Sequence, residues 1–166
     1  MKKLILLLFT IVSFTSFAQQ IQNDWNTDMN KAIQISQNTE KPLMLFFTGS
    51  DWCGWCIKLQ KAVFSKPEFV KWATKNVVLV EIDFNRSFRK RISLAQKGKV
   101  KLTDDENEMI SLSNTFGVRG YPTVWFVTTE VTDEGEVNLK KLGSQGASPL
   151  DVKGWIAGAN KILKQK

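Results

Sequence analysis

The sequence of 166 residues contains no histidine and only two cysteines. Without histidine, neither a cysteine–histidine hydrolase nor acid–base catalysis by imidazole is available. Two cysteines also fall short of the four ligands that a structural zinc site uses, which argues against a metal centre. A framework of several disulfides between distant segments is excluded as well. Any chemistry at sulfur therefore rests on this one pair of thiols.

Long hydrophobic runs are absent too, and the one near the N-terminus is brief. Lys2-Lys3 precedes a mostly apolar stretch from Leu4 to Phe14, and Ser16-Phe17-Ala18 then offers small residues where a signal peptidase reads. The stretch is too short and too rich in Thr and Ser for a membrane span. We predict a signal peptide over residues 1–18 and one domain over residues 19–166, in a periplasmic or secreted protein. A retained N-terminal anchor is the alternative.

Acidic residues are fewer than basic ones, and the formal net charge is +7. Many of the basic residues lie between Arg86 and Lys101, just before the acidic run Asp104-Asp105-Glu106. A nucleic-acid surface would need aromatic or motif support beside these charges, and only Phe88 lies among them. No nucleic-acid partner is predicted. The basic segment is either a solvated face or a docking site for acidic clients.

The apolar spacing predicts alternating strands and helices. The first half begins with a helix carrying Trp25, Met29, Ala32, Ile33 and Ser36, and continues with a buried strand over Leu43 to Thr48, a helix over Ile57 to Phe64 that restarts after Pro67, and a strand over Val77 to Phe84. A short basic helix and a turn at Lys97-Gly98-Lys99 follow, and then a helix from Glu106 to Phe116 that ends at Gly117. The chain closes with a strand over Val124 to Val127, a return strand over Val137 to Leu142, and a last helix after Ser148-Pro149-Leu150-Asp151.

Both cysteines lie in Trp52-Cys53-Gly54-Trp55-Cys56, between a predicted strand and a predicted helix. Thiols at i and i+3 are placed to cycle between dithiol and disulfide. At a helix N-terminus, unpaired N–H groups and the helix dipole favour negative charge, so the Cys53 thiolate is favoured. A disulfide between them closes a loop too small to stabilise the fold by much. Redox chemistry at this junction is therefore the predicted function.

Two stretches of the chain resemble the thioredoxin family. They are Phe46 to Lys58, around Cys53-Gly54-Trp55-Cys56, and Phe116 to Thr123, which looks like the family's cis-proline loop. The resemblance implies an α/β, thioredoxin-like fold in which a central mixed β-sheet is flanked by helices on both faces. This chain would add an N-terminal helix and a long basic insertion before the cis-proline half. The approach Gly49 to Cys53, together with the signal peptide, looks like exported bacterial members.

The resemblance also implies roles for individual residues. Cys53 would be the attacking thiol, Cys56 the resolving thiol and Pro122 the cis proline, whose neighbour Tyr121 would pair with an extended client through its backbone. A trans proline leading into the strand is the alternative. Trp52 and Trp55 are either client contacts or parts of the core. The predicted substrate-contact residues are Trp52, Gly54, Trp55, Tyr121 and Pro122.

One departure from the family concerns a buried carboxylate. Thioredoxins typically keep it six positions before the first cysteine, where this chain has Phe47, and its basic partner aligns with Leu79. The usual candidate for moving a proton to or from Cys56 is then missing. Asp51 or Glu81 acting through water are the remaining candidates. We therefore expect reduction to be slower than in a general thioredoxin.

Together these features predict an exported thiol–disulfide oxidoreductase that acts on protein clients. A redox partner protein would reset the cysteine pair, and no bound cofactor is needed, because the pair itself carries the electrons. The alternative is a thioredoxin-fold binding or chaperone module in which the pair is stably oxidised and a tryptophan-lined groove holds partner chains.

Overall fold

The computed structural model describes residues 25–165. The predicted signal peptide lies outside the described residues. Within them the helices are α1 (Met29–Thr39), α2 (Gly54–Leu59), α3 (Pro67–Asn76), α4 (Arg86–Gln96), α5 (Asp104–Thr115) and α6 (Val152–Leu163), and a π-helical turn (Gln60–Phe64) continues α2. The strands are β1 (Leu43–Thr48), β2 (Val78–Asp83), β3 (Thr123–Val131) and β4 (Val137–Gln145).

The four strands form one mixed sheet in the order β2-β1-β3-β4. β1 is parallel to β2, with Phe46 opposite Glu81, and antiparallel to β3. β3 and β4 form an antiparallel hairpin. Ahead of α1, Asn26 makes a bridge to Val80 at the outer edge of β2. The predicted mixed sheet is confirmed, with β1, the strand that leads into the cysteine pair, as a central strand.

Successive side chains of β1 enter opposite layers, as the pleat of a strand requires. Met44 and Phe46 pack in the layer that contains α2, α3 and α6, which we call the cysteine-side layer because both cysteines belong to it. Leu43, Leu45 and Phe47 pack in the opposite layer, with α1, α4 and α5. The central sheet therefore has helices on both faces, as predicted, and β1 is buried along its whole length.

Aromatic rings dominate the cysteine-side layer. Trp155 of α6 is fully buried, and its ring meets Phe64 edge to face with centroids 5.0 Å apart. Its indole N–H donates to the Gly146 carbonyl at 3.1 Å. Phe64 in turn packs edge to face on Phe46 at 5.1 Å. These contacts join α6, the turn after α2 and the central strand, and so fix the helix that begins at the cysteine pair.

Most predicted elements are confirmed, and several differ in extent. Trp25 precedes α1 instead of lying on it, and its ring packs on Phe46 in the cysteine-side layer. α5 begins at Asp104, two residues earlier than predicted, because Thr103 and Glu106 form a reciprocal capping box. The strands of the hairpin extend beyond the predicted bounds, to Val131 and Gln145. The basic insertion is an ordered helix, α4, followed by the predicted turn.

No helix among the described residues combines the length and apolar character needed to cross a membrane.

Candidate redox site

The turn between β1 and α2 is built around Gly49. Its carbonyl accepts hydrogen bonds from the backbone N–H groups of Trp52 (3.2 Å) and Cys53 (2.8 Å). The Trp52 indole lies so close to the Cα of Gly49 that any Cβ there would overlap it. The pattern of apolar residues in the sequence does not reveal this constraint on Gly49. Its real requirement is space for the tryptophan beside the cysteines.

The structure joins Cys53 and Cys56 in a disulfide at the start of α2. Cys53 is the N-cap residue, and its sulfur accepts the backbone N–H of Cys56 at 3.2 Å. Cys53 is 6% exposed and Cys56 is 1% exposed. Cys53 is thus the more exposed of the two residues, and its sulfur lies where the helix offers unpaired N–H groups.

Hydrogen bonds from neighbouring elements hold this turn. The Trp52 indole N–H donates to the Phe84 carbonyl at 2.7 Å. The N–H and hydroxyl of Ser50 donate to the Asp83 carboxylate at 2.8 and 2.6 Å. Asp51 accepts the backbone N–H of Arg86 at 3.0 Å. The Asp51 carboxylate therefore binds the N-terminus of α4.

The two stretches that carry the family resemblance meet at Trp52. Its ring packs edge to face on Tyr121, with centroids 5.5 Å apart. The Tyr121–Pro122 peptide bond is cis, as the resemblance implies. Burial raises the pKa of the Tyr121 phenol, while the charge of Arg89 and a hydrogen bond with Ser113 oppose that shift. The proline loop thus lies beside the redox turn.

Gly54 and Trp55, between the two cysteines, lie at the surface. A Cβ on Gly54 would meet no atom within 4 Å, so the space above it is open. Trp55 is 57% exposed, and the ammonium of Lys58 lies 4.8 Å from its ring centroid. Trp52, by contrast, is half-buried and belongs partly to the core. Of the two tryptophans, Trp55 is the more exposed.

Counting six residues back from Cys53 assigns the family's carboxylate position to Phe47, and this assignment is wrong because Phe47 does not face the cysteines. Its ring packs on Phe116, at a centroid distance of 6.1 Å, in the layer opposite the cysteines. Counting back from Cys53 misplaces it because the length of the turn, and hence which β1 residue faces the cysteines, is set by packing. The β1 residue in the cysteine-side layer is Phe46. No carboxylate lies on β1 in either case, so the departure from the family remains.

The carboxylate on the cysteine side comes instead from β2. Glu81 is opposite Phe46, and the Gln60 amide donates to it at 3.3 Å. Burial raises the pKa of Glu81, and the negative charge of Asp83 raises it further, while the hydrogen bond from Gln60 lowers it.

A cavity of about 280 Å³ lies next to the second cysteine. Cys56, Gln60 and Thr48 are among its lining residues. The Thr48 hydroxyl is fully buried and has no hydrogen-bond partner among the described residues. Within residues 25–165 no three His, Cys, Asp or Glu side chains come close enough to hold a metal ion. The polar side chains that line this cavity with Cys56 are those of Thr48, Ser50, Gln60, Lys61 and Ser65, and Gln60 connects them to Glu81.

Known proteins are similar to this chain in sequence. A family model for the thioredoxin-like domain matches residues 29–142. The disulfide bond reductase DsbH of Chlamydia pneumoniae is 29% identical over 134 residues, which cover 81% of this chain and 69% of DsbH. The thioredoxin-related protein DsbJ of the same organism is 36% identical over 86 residues, 48% of this chain but only 24% of DsbJ.

Solved structures agree with this assignment. The structure of a DsbH oxidoreductase superposes with a TM-score of 0.62 at 27% identity, covering 86% of this chain and 85% of that one. A thioredoxin from Thermus thermophilus superposes with a TM-score of 0.56 over 87% of each chain, and at 16% identity it supports the fold alone. Because the family model matches well over half of the sequence, this chain belongs to the thioredoxin-like domain family, and it is a thiol–disulfide oxidoreductase.

Proposed function

We propose that this protein is an exported thiol–disulfide oxidoreductase that reduces disulfides in protein clients through Cys53 and Cys56. The observation that carries the proposal is the Cys53–Cys56 disulfide at the first turn of α2, beside the Tyr121–Pro122 loop. The name of the relative DsbH, a disulfide bond reductase, supports reduction as the direction.

In the proposed cycle, the reduced protein reacts first through Cys53. Its thiolate attacks one sulfur of a client disulfide, a mixed disulfide forms, and the second client sulfur leaves as a thiolate that takes up a proton. Cys56 then loses its proton and attacks the Cys53 sulfur. The bond between Cys53 and the client breaks, and the client sulfur that Cys53 had attacked leaves as a thiolate that takes up a proton. Two electrons have passed to the client, and the protein holds a disulfide.

A partner dithiol must then return two electrons to the Cys53–Cys56 disulfide, and no bound cofactor takes part. The greater exposure of Cys53 supports its role as the attacking and attacked sulfur, since Cys56 is almost fully buried. The same steps in reverse would oxidise a dithiol client.

The proposed client contacts surround Cys53. Trp55 offers exposed apolar surface, and Gly54 leaves room for a client chain next to the disulfide. Tyr121 is proposed to pair with an extended client through its backbone, in the manner of an added β-strand. Proline has no N–H group, so Pro122 adds no competing donor there. The full proposed set is Trp52, Gly54, Trp55, Tyr121 and Pro122.

Reduction of insulin in the presence of dithiothreitol tests the enzymatic proposal. Wild type is expected to accelerate precipitation of the insulin B chain, and Cys53→Ser is expected to lose that acceleration. Cys56→Ser is expected to accumulate a mixed disulfide with a client, visible on non-reducing gels, because the resolving thiol is gone. Equal activity of wild type and Cys53→Ser would remove the proposal.

Export rests on the N-terminal pattern of the sequence, with cleavage proposed after Ala18. Expression of the full chain in a Gram-negative host, followed by N-terminal sequencing of the periplasmic fraction, is expected to read from Gln19. A cytosolic protein that retains Met1 or Lys2 at its N-terminus would overturn export without touching the redox proposal.

The exposed Trp55 also favours a second candidate, a module that binds unfolded chains while its cysteines stay oxidised. The reduction potential of the pair separates the two. A value near about −270 mV, where thioredoxin lies, supports reductase activity. A value well below about −300 mV, together with equal binding of unfolded protein by wild type and Cys53→Ser, would favour the binding module.

A further inference from the structure

A groove of about 420 Å³ opens next to the redox turn, between α4, α5 and the proline loop. Trp52 and Tyr121 line it and are in ring contact with each other. Phe84, Ile92 and Ile110 add apolar surface. α4 lies in the basic insertion, so the insertion supplies one wall of the groove. Trp52 immediately precedes Cys53, so one lining residue of the groove is the direct neighbour of that cysteine.

Among the described residues that line the groove, Arg89 alone is charged. Its guanidinium carbon lies 4.3 Å from the centroid of the Trp52 ring. Within residues 25–165 Arg89 forms no ion pair, whereas Arg91, two residues later, is paired with Glu106. A guanidinium stacked on an indole keeps its N–H edge available, and that edge matches a carboxylate with two parallel hydrogen bonds.

The surroundings of Arg89 reinforce its positive charge. α4 carries four basic residues and no acidic one. The nearby Asp51 carboxylate already accepts the backbone N–H of Arg86 at the start of α4. The charge of Arg89 also acts on Tyr121, where it opposes the effect of burial on the phenol. An unpaired arginine, an apolar floor and a reacting cysteine therefore adjoin one another.

We infer that this groove selects clients, by binding a segment that carries an aspartate or glutamate within a few residues of the client's reactive cysteine. The carboxylate pairs with Arg89, and apolar side chains next to it pack on Phe84 and Ile92. The inference deepens the proposed function and rests on it, since the groove adjoins Cys53. It also assigns a role to the basic insertion, which is otherwise absent from the redox chemistry.

Matched disulfide peptides test the inference. Three peptides share one sequence and one intramolecular disulfide, and differ only in a residue near the cysteine, which is Asp, Asn or Lys. Wild type is expected to reduce the Asp peptide with a kcat/KM about fivefold above that of the Asn peptide at low ionic strength, and the Lys peptide more slowly still. The Asp-to-Asn ratio is expected to fall as salt is added.

Three variants locate the effect on α4. Arg89→Gln is expected to bring the Asp-to-Asn ratio close to one, and Arg89→Lys to retain part of it. Lys90→Gln removes the same charge from the next residue of the same helix, whose exposed side chain does not line the groove. It is expected to keep the wild-type ratio. Thermal unfolding of each variant checks that the fold is unchanged.

Equal loss of the ratio in Arg89→Gln and Lys90→Gln would overturn the inference. The preference would then come from the overall positive charge of α4 and not from a specific contact with Arg89 in the groove. A ratio of one in wild type would overturn it as well. Binding of cysteine-free versions of the peptides can be measured from changes in NMR chemical shifts. This measurement does not depend on electron transfer. If no peptide is reduced but the Asp version binds in an Arg89-dependent manner, the groove stands and the oxidoreductase proposal falls.

Discussion

Two buried hydroxyls in this fold have opposite hydrogen-bonding states, and this difference predicts opposite mutational effects. Thr48, at the end of β1, is fully buried, and its hydroxyl has no partner among the described residues. Ser36 of α1 is 2% exposed, and its hydroxyl donates to the Lys41 carbonyl at 2.6 Å and contacts the Thr129 hydroxyl at 3.2 Å. Thr48→Val is therefore expected to stabilise the protein, and Ser36→Ala to destabilise it.

The magnitudes follow from the cost of desolvation. Valine has nearly the shape of threonine, suits a strand, and keeps the hydrogen bond from the Phe84 N–H to the carbonyl of residue 48, at 2.9 Å in the structure. Removing an unsatisfied buried hydroxyl relieves a penalty of about 1–2 kcal/mol. Ser36→Ala loses two contacts and leaves the Lys41 carbonyl without this donor, at a cost of about 1–2 kcal/mol.

Guanidinium unfolding of the oxidised proteins, followed by tryptophan fluorescence and by far-ultraviolet circular dichroism, measures both effects. Coincidence of the two probes is required before free energies are compared. In a separate thermal unfolding experiment, Thr48→Val is expected to raise the melting temperature by about 3–6 °C. A Thr48→Val protein that is unchanged or less stable would refute the reasoning, because the hydroxyl would then be satisfied by solvent in the cavity beside Cys56.

Three further predictions concern charge and packing. Burial raises the pKa of Glu81, so ionisation of this carboxyl opposes folding as pH rises above about 4.3. The stability of Glu81→Gln relative to wild type should therefore increase between that pH and neutrality. A stability difference that does not change with pH would contradict this. Arg91 lowers the pKa of Glu106 to about 2, so Glu106→Gln should be the less stable protein at neutral pH, with a deficit that shrinks as pH falls from about 4.5 to about 2 in acid-unfolding curves. Trp155→Phe loses the hydrogen bond to a backbone carbonyl and leaves a void, at a cost of about 2–4 kcal/mol. The control Trp72→Phe loses one exposed hydrogen bond and should cost about 1 kcal/mol or less. Similar losses of stability for the two variants in denaturant titrations would argue against the buried role of Trp155.

Much of the fold was predictable because the local signals agree with one another. The run Leu43 to Thr48 contains no charged residue, as a strand buried on both faces requires, and it is the central strand β1. Pro67 marks the restart of a helix, and it is the first residue of α3. Gly117, the predicted stop, has a positive φ of 60° just after α5.

The errors and omissions share a different origin. Which face of β1 meets the cysteines depends on the length of the intervening turn, and so Phe47 was placed on the wrong side. Gly49 is required because the Trp52 ring folds back over it, a contact that no pattern of apolar residues encodes. Glu81 is remote from the cysteines in sequence and reaches their layer only through the parallel pairing of β1 and β2.

The sequence by itself determined that two thiols three residues apart begin a helix after a buried strand, and this is a property of local spacing. Only the tertiary structure decided what surrounds those thiols, because their neighbours come from segments that are distant along the chain. Packing brings the cis proline loop against Trp52, places Arg89 over the same ring and directs Glu81 toward the cysteine side. Spacing sets the chemistry of the sulfur pair, and long-range packing sets the surface that a partner meets.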